Sequence, residues 1–377
     1  MLNIIVLGLT SFFTDVASEM VYPLVPLFLT ASLGASPAVL GLVEGLAEST
    51  ASLLKVFSGY LSDRVRNRKW LTIVGYTVSG AGKAILAAAT GWGTVLLGRV
   101  GDRLGKGIRT APRDALVADS AADGRHGAAF GLHRALDSSG AVVGVLLAWV
   151  FLARLRSGYA AVFRWSLVPA AIGILLLFLV RETPPAGSAS ALSFDWRVLP
   201  PRLRRFLLLA LAFALGNSSN AFLLLRAASL GVSGAWTVLL YLAYNVAYAA
   251  ASYPAGTLSD RIGRKRLLVT GYAFYGLVYL GFATLGGAQA WLLWPLFVLY
   301  GLYSGLTDGV EKALIADLAP ADVRATALGL HGTLVGVGLL AASLVAGELW
   351  EHVGAAMVFY VGGATGLGVA VALACLL

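Results

Sequence analysis

Two pairs of acids sit where acids are costly. Asp15 and Glu19 lie four residues apart in an apolar run at 3–31, and Glu44 and Glu48 repeat that spacing in the next run, at 37–62, with Lys55 two turns further on. Spacing of i,i+4 puts both members of a pair on one helix face. A carboxylate within an apolar span costs several kcal/mol unless it is paired or hydrated, so such residues are functional candidates. Four acids on two adjacent helices cannot all ionise cheaply in a low-dielectric cavity. The chemistry they offer is reversible proton binding. Glu44 falls near the outer end of its run and reads equally as a solvated rim residue. Pro23 and Pro26, beyond Glu19, are expected to break the outer part of the first helix and widen a cavity.

Further along, Arg99, Asp102, Arg103, Lys106, Arg109, Arg113, Asp114 and Asp119 crowd one run, and His133 and Asp137 follow at i,i+4. Arg103 and Lys106 are near mid-span, where they would neutralise the acids of the first two runs. His133 with Asp137 has the spacing of a proton relay, and His133 also reads as a structural residue. Arg113, Asp114, Asp119 and Arg125 read as a salt-bridge network at one helix end. The second half of the chain is poorer in acids. It offers Asn217, Asn220 and Arg226 in one run, then Tyr241, Tyr244, Asn245 and Tyr248 on one face of the next, and Asp308, Glu311 and Lys312 later. Amides and tyrosines at mid-span suit contacts to a solute, or glue between helices. The expected solute-binding set is Glu44, Lys106, Asn217, Asn220, Arg226, Tyr241, Tyr244 and Asn245. No nucleophile constellation is present. One cysteine, Cys375, excludes an internal disulfide, and four histidines and three methionines disfavour a soft-metal carrier.

The elements that must hold these residues are membrane helices. The chain has 377 residues, 58% hydrophobic and 12% charged, with a mean hydropathy of +0.81; a soluble domain carries roughly 25% charge. Twelve apolar runs of spanning length fall at 3–31, 37–62, 70–91, 92–119, 127–150, 160–180, 206–230, 234–258, 267–286, 290–317, 326–350 and 353–376. They are continuous rather than alternating, which excludes a β-barrel. The net charge of +9 does not mark a nucleic-acid binder, because the basic residues gather after the even-numbered runs. By the positive-inside rule, both termini and those connections face the cytoplasm of a bacterial-type inner membrane. Arg154, Arg156 and Arg164 are the exception. The first run lacks a small-residue cleavage site and reads as a retained span.

The chain also repeats itself. GYLSDRVRNRK from Gly59 to Lys69 returns as GTLSDRIGRKR from Gly256 to Arg266, and ALVADSAADGRHGAAFGLH from Ala115 to His133 parallels ALIADLAPADVRATALGLH from Ala313 to His331. A Pro- and Ser-bearing connection at 181–205 separates the copies. The division is therefore a six-helix bundle at 1–180, a cytoplasmic linker at 181–205 and a second bundle at 206–377. Six spans per copy preserve orientation, so the repeats are parallel.

Twelve spans, a central linker and the phrase G-x-L-S-D-R after spans 2 and 8 resemble the major facilitator superfamily. The resemblance implies an all-α membrane protein of twelve helices in two parallel-repeat bundles, working by alternating access, a monomer with lipid, protons and a small-molecule or ion substrate as its partners. It implies no cofactor beyond the proton gradient and no enzymatic activity. In the family, contacts of the repeated phrase hold the cytoplasmic side shut. The gate residues are accordingly Gly59, Asp63 and Arg64 with Gly256, Asp260 and Arg261, the glycines admitting a close helix neighbour; the plainer alternative is that these charges only set topology. RLGKGIRTA, Arg103 to Ala111, resembles a motif of proton-coupled exporters with Lys106 in place of Gln. SSGAVVG, Ser138 to Gly144, resembles another without its proline. The expected activity is proton-coupled efflux of a small organic solute or drug, with Asp15, Glu19, Glu48, Arg103, His133 and Asp137 in proton coupling. A divalent-cation exporter and an organic-anion symporter remain as alternatives.

Overall fold

The computed structural model describes residues 2–65, 67–120, 126–155, 158–182, 199–319 and 324–377. It gives their side chains except at 55–56, 59–65, 118, 126–131, 134, 253, 316 and 324–326. The side chains of the expected gate residues Gly59, Asp63 and Arg64, all of Arg125, and most of the expected linker lie outside the described residues.

Among the described residues the regular structure is helical. The helices are α1 (Leu2–Val21), α2 (Pro37–Val65), α3 (Arg68–Ala87), α4 (Trp92–Asp119), α5 (His126–Ala153), α6 (Tyr159–Leu177), α7 (Pro201–Gly216), α8 (Ala221–Ser229), α9 (Gly234–Ile262), α10 (Arg264–Thr284), α11 (Leu293–Leu318), α12 (Arg324–His352) and α13 (Ala355–Leu376). Helices α7 and α8 are two halves of one span, so the twelve apolar runs appear as twelve helical spans. Eight of these, by length and composition, are apolar enough to cross a membrane. The other four are α2, α3, α4 and α9, and three of them hold most of the charges discussed above.

Local chemistry explains the interruptions. After Val21 the chain passes through a 3₁₀ turn at Tyr22–Leu24, a short α segment at Val25–Leu27 and a π turn at Phe28–Ser32. Pro23 and Pro26 supply no N–H to the helical ladder, which is the break the sequence predicts. The second interruption has no proline: Asn217–Asn220 leave the helix between α7 and α8, short polar side chains competing with the backbone ladder for hydrogen bonds. The two repeated phrases turn differently. Gly263 has φ +94° between α9 and α10, a value that favours glycine. In the first copy Asn67 has φ −126° and its side chain accepts from the Trp70 N–H, capping α3.

The chain forms two compact units, residues 1–34 with 46–192, and 35–45 with 193–377. In the first, α1 packs on α5 and α6, and α3 on α4 and α6; in the second, α7 packs on α12 and α13, and α10 on α11 and α13. The same pairs in the same order are what parallel repeats require. Glycines set the spacing. A Cβ on Gly144 would lie 3.0 Å from Val16 Cα, and one on Gly82 would lie 2.7 Å from the Gly98 carbonyl oxygen. Gly140 and Gly144 thus act as a GxxxG face of α5 on α1, which is the packing role SSGAVVG keeps without its proline. At Gly256 an added Cβ meets nothing within 4 Å among the described residues.

Candidate functional site

The first unit gathers its charges around α4. Glu48 of α2 lies 2.8 Å from Arg103 Nη2 and 3.8 Å from Arg99 Nη2. Both guanidiniums lie over the ring of Tyr22, at 5.8 and 5.4 Å from its centroid, a cation–π arrangement. Asp102, next to Arg103 in the chain, forms an ion pair with Lys83 of α3 and accepts from Ser79, while Lys83 Nζ donates to Ser79 Oγ at 3.1 Å. The Lys83 and Asp102 side chains are 2% and 10% exposed. A cavity of about 10 Å³ lies between these groups, lined by Ser18, Lys83, Arg99 and Asp102 among others, barely room for one water.

A second cluster joins α1, α4 and α5. Asp15 is within the field of Asp137, Lys106, Glu19 and Arg109. His133 is buried, with Nε2 2.8 Å from Ser11 Oγ, and Ser11 Oγ is 3.3 Å from the Tyr76 hydroxyl. Thus Ser11 and Asp15, i,i+4 on α1, oppose His133 and Asp137, i,i+4 on α5. Arg113 donates to Ser11 at 3.3 Å and pairs with Asp114 at 2.8 Å. The expected proton-coupling residues therefore fall into two groups, Glu48 with Arg103, and Asp15 with Glu19 and Asp137, with Lys106 feeling both Glu48 and Asp15. Glu44 is fully buried, and the rim position open to it in the sequence is not where it sits. Residues 35–45 belong to the second unit.

The second unit surrounds the α7–α8 break with tyrosines. Tyr300 donates to Asn220 Oδ1 at 2.8 Å, Asn220 Nδ2 donates to the Tyr244 hydroxyl at 3.4 Å, and Tyr275 donates to the Gly216 carbonyl at 3.0 Å. Tyr241 stacks on Tyr244 at 5.6 Å, and Tyr244 on Tyr300 at 5.4 Å. Asn217 Oδ1 is buried with no hydrogen-bond partner among the described residues. Asn245 instead donates to the Tyr241 carbonyl of its own helix. Arg226 sits apart from the solute set: its guanidinium donates to the carbonyls of Phe282 at 3.2 Å and Leu285 at 2.7 Å, capping the end of α10.

Asp260 pairs with Arg264 at 2.6 Å, and Arg264 reaches Asp317 at 3.2 Å. Arg261 is exposed. Arg264, not Arg261, is the partner that the sequence left out, and the first unit repeats its contact as Arg68 with Asp119. Both aspartates belong to the duplicated ALVAD/ALIAD phrase, a signal that was available. Lys83 and Ser79 were also missed; neither stands in a motif or an i,i+4 acid pair. Among the described residues no group of three or more His, Cys, Asp or Glu is placed to hold a metal ion.

Comparison with known proteins gives the class. The family model of the Major Facilitator Superfamily matches residues 7–242 and 206–377. The chain belongs to that superfamily and is a multi-pass membrane protein of a secondary-transporter class. An uncharacterized MFS-type transporter of Methanocaldococcus jannaschii is 39% identical over 357 residues, covering 93% of this chain and 88% of the relative. The fosmidomycin resistance protein of Escherichia coli is 23% identical, covering 94% and 87%. In fold, the chain matches the crystal structure of nucleoside transporter NupG with a TM-score of 0.79 at 14% identity, covering 99% of this chain and 98% of that one. It matches peptide transporter POT in complex with sulfate with a TM-score of 0.79 at 16% identity, covering 99% and 93%.

Proposed function

We propose that the protein is a proton-coupled transporter that exports a small organic solute by antiport, with both termini on the cytoplasmic side of the cell membrane. The observation that carries this is the cluster of the first unit in which Asp15 shares its surroundings with Glu19 and Asp137 and with the cations Lys106 and Arg109. Like charges crowded in one site make a proton cheap to bind, and adjacent cations make it cheap to release. Glu48, held by Arg103, is the second carrier. Arg103 modulates both by occupying the Glu48 carboxylate. The fosmidomycin resistance protein is a distant relative, and its name supports export rather than uptake.

In the second unit, Asn217, Asn220, Tyr241 and Tyr244 supply solute contacts at a broken span, the kind of interruption at which transporters bind ligands. The Asp260–Arg264–Asp317 and Arg68–Asp119 pairs supply the cytoplasmic contacts that change during alternating access. Everted membrane vesicles test the direction. With an acid interior imposed, a transported solute should dissipate the proton gradient and accumulate inside. Solute accumulation that is indifferent to the gradient would rule the antiport reading out.

A further inference from the structure

We propose that Arg109 anchors an oxyanion-binding position in the first unit, an inference that rests on the proton site at Asp15 and goes beyond it. Arg109 is 4% exposed, and its Nε and Nη1 are buried with no hydrogen-bond acceptor among the described residues. The side chain is not free to swing toward water. Its Cζ lies 4.4 Å from the centroid of the Tyr76 ring, and its Cβ packs on α3 so closely that a Cβ on Gly75 would lie 2.6 Å from it. Tyr76 is itself engaged through Ser11 to His133. A buried guanidinium with open donors is costly, and an oxyanion is the ligand whose charge and oxygen acceptors match it.

The duplicated architecture shows that the fold does not need this cation. The position equivalent to Gly75 is Gly271, and the residue packed against it is Thr307, whose hydroxyl donates to the Tyr303 carbonyl of its own helix. Position 109 in the first repeat is therefore position 307 in the second, and the same helix pair closes there over a small neutral side chain.

Among the described residues, Asp15 from α1, Lys83 from α3 and Lys106 on α4 itself act on this position. Lys83 is tied to Asp102. Lys106 is exposed, one turn away. Asp15 is thus a carboxylate that competes with an incoming anion for Arg109 and Lys106, Glu48 also acts on Lys106, and Glu19 and Asp137 share the field of Asp15. Protonating Asp15 releases the cations, and by linkage an anion bound to them favours the proton on Asp15. Anion and proton bind together. The anion is either a carboxylate or phosphonate group of the solute, or an inorganic ion that travels with the proton.

The test is titration calorimetry on the full chain in lipid nanodiscs, with benzoate, methylphosphonate, sulfate and chloride as probes, at acid and at alkaline pH. The expected result is binding that tightens toward acid pH and weakens about tenfold or more in Arg109→Thr, the residue of the second repeat. Asp15→Asn should tighten alkaline binding by a similar factor and flatten the pH dependence, as a coupling of this size requires. Binding of the organic probes alone assigns the anion to the solute and makes the transport symport, which retires the antiport reading and leaves this one standing. Binding of sulfate or chloride assigns it to a travelling ion. No binding by the wild type, or an unchanged affinity in Arg109→Thr, overturns the proposal. Should Arg109→Thr fail to fold, Asp15→Asn decides alone: weakened or unaltered alkaline binding overturns it.

Discussion

Replacing Asp102 by Asn should destabilise the first unit severely. The exchange is nearly isosteric and leaves an oxygen to accept from Ser79, so packing changes little. What disappears is the countercharge of Lys83, whose side chain is 2% exposed, against 10% for Asp102. Lys83 then has Ser79 Oγ at 3.1 Å, which carries no charge. Removing one partner of a buried pair costs about 3–5 kcal/mol, or a loss in the folded-to-unfolded ratio of roughly 10²-fold to several thousandfold. The cost falls on the α3–α4 contact, where the backbones of Gly82 and Gly98 already touch. Unfolding by graded detergent denaturation, followed through tryptophan fluorescence, reads it. The double variant Lys83→Met with Asp102→Leu removes both charges and should recover most of the loss, since a buried pair exchanged for apolar residues is neutral or stabilising by about 1–4 kcal/mol. Wild-type stability in Asp102→Asn would refute this reasoning. So would a double variant no better than the single one, because the loss would then lie in packing and not in an orphaned charge.

Other changes follow the same logic. Arg226→Gln should lower stability by about 2–3 kcal/mol, the worth of a charged donor to buried carbonyls, while solute affinity per folded molecule stays at the wild-type value; a selective loss of affinity would return Arg226 to the solute set. Gly140→Val places side-chain atoms against the α1 backbone at Phe12 and should cost about 1–3 kcal/mol by overpacking, read as a lowered midpoint in the same denaturation assay. Asp260→Asn should change stability by less than about 1 kcal/mol, because the Asp260 side chain is 62% exposed and Arg264 keeps Asp317. Labelling of engineered cysteines on the cytoplasmic side should nonetheless increase, and unchanged labelling would remove Asp260 from the gate.

Much of the fold could be read from the chain because lipid imposes length and continuity on every span. The twelve apolar runs and the doubled phrase needed nothing else, and Pro23 and Pro26 mark the broken end of span 1 by their missing N–H groups. The break at Asn217–Asn220 was less legible. Its Asn and Ser side chains compete with the backbone ladder but also occur within helices, and what holds the unwound stretch is tertiary: Tyr300 donates to Asn220 and the Ser219 N–H donates to Ser343. Acids at i,i+4 advertise themselves by local spacing, which is why Asp15, Glu19 and Glu48 could be named. Lys83 with Asp102, and Arg226 with the Phe282 and Leu285 carbonyls, join residues 19, 56 and 59 positions apart, and no local pattern reports such a meeting. Gly256 stands in a strongly patterned phrase and meets nothing within 4 Å among the described residues. The pattern identifies the family.

Coupling of solute movement to protons through Asp15 and Glu48 can be read in proteoliposomes enclosing a pH-sensitive dye. Wild type, Asp15→Asn and Glu48→Gln would be challenged with drug-like cations, organic anions and divalent metals, with tracer flux recorded alongside. Proton movement triggered by a transported solute is expected in the wild type and lost in both variants, with the variants still folded by the denaturation assay. Tracer flux without proton movement in the wild type, or full coupling in both variants, would contradict it.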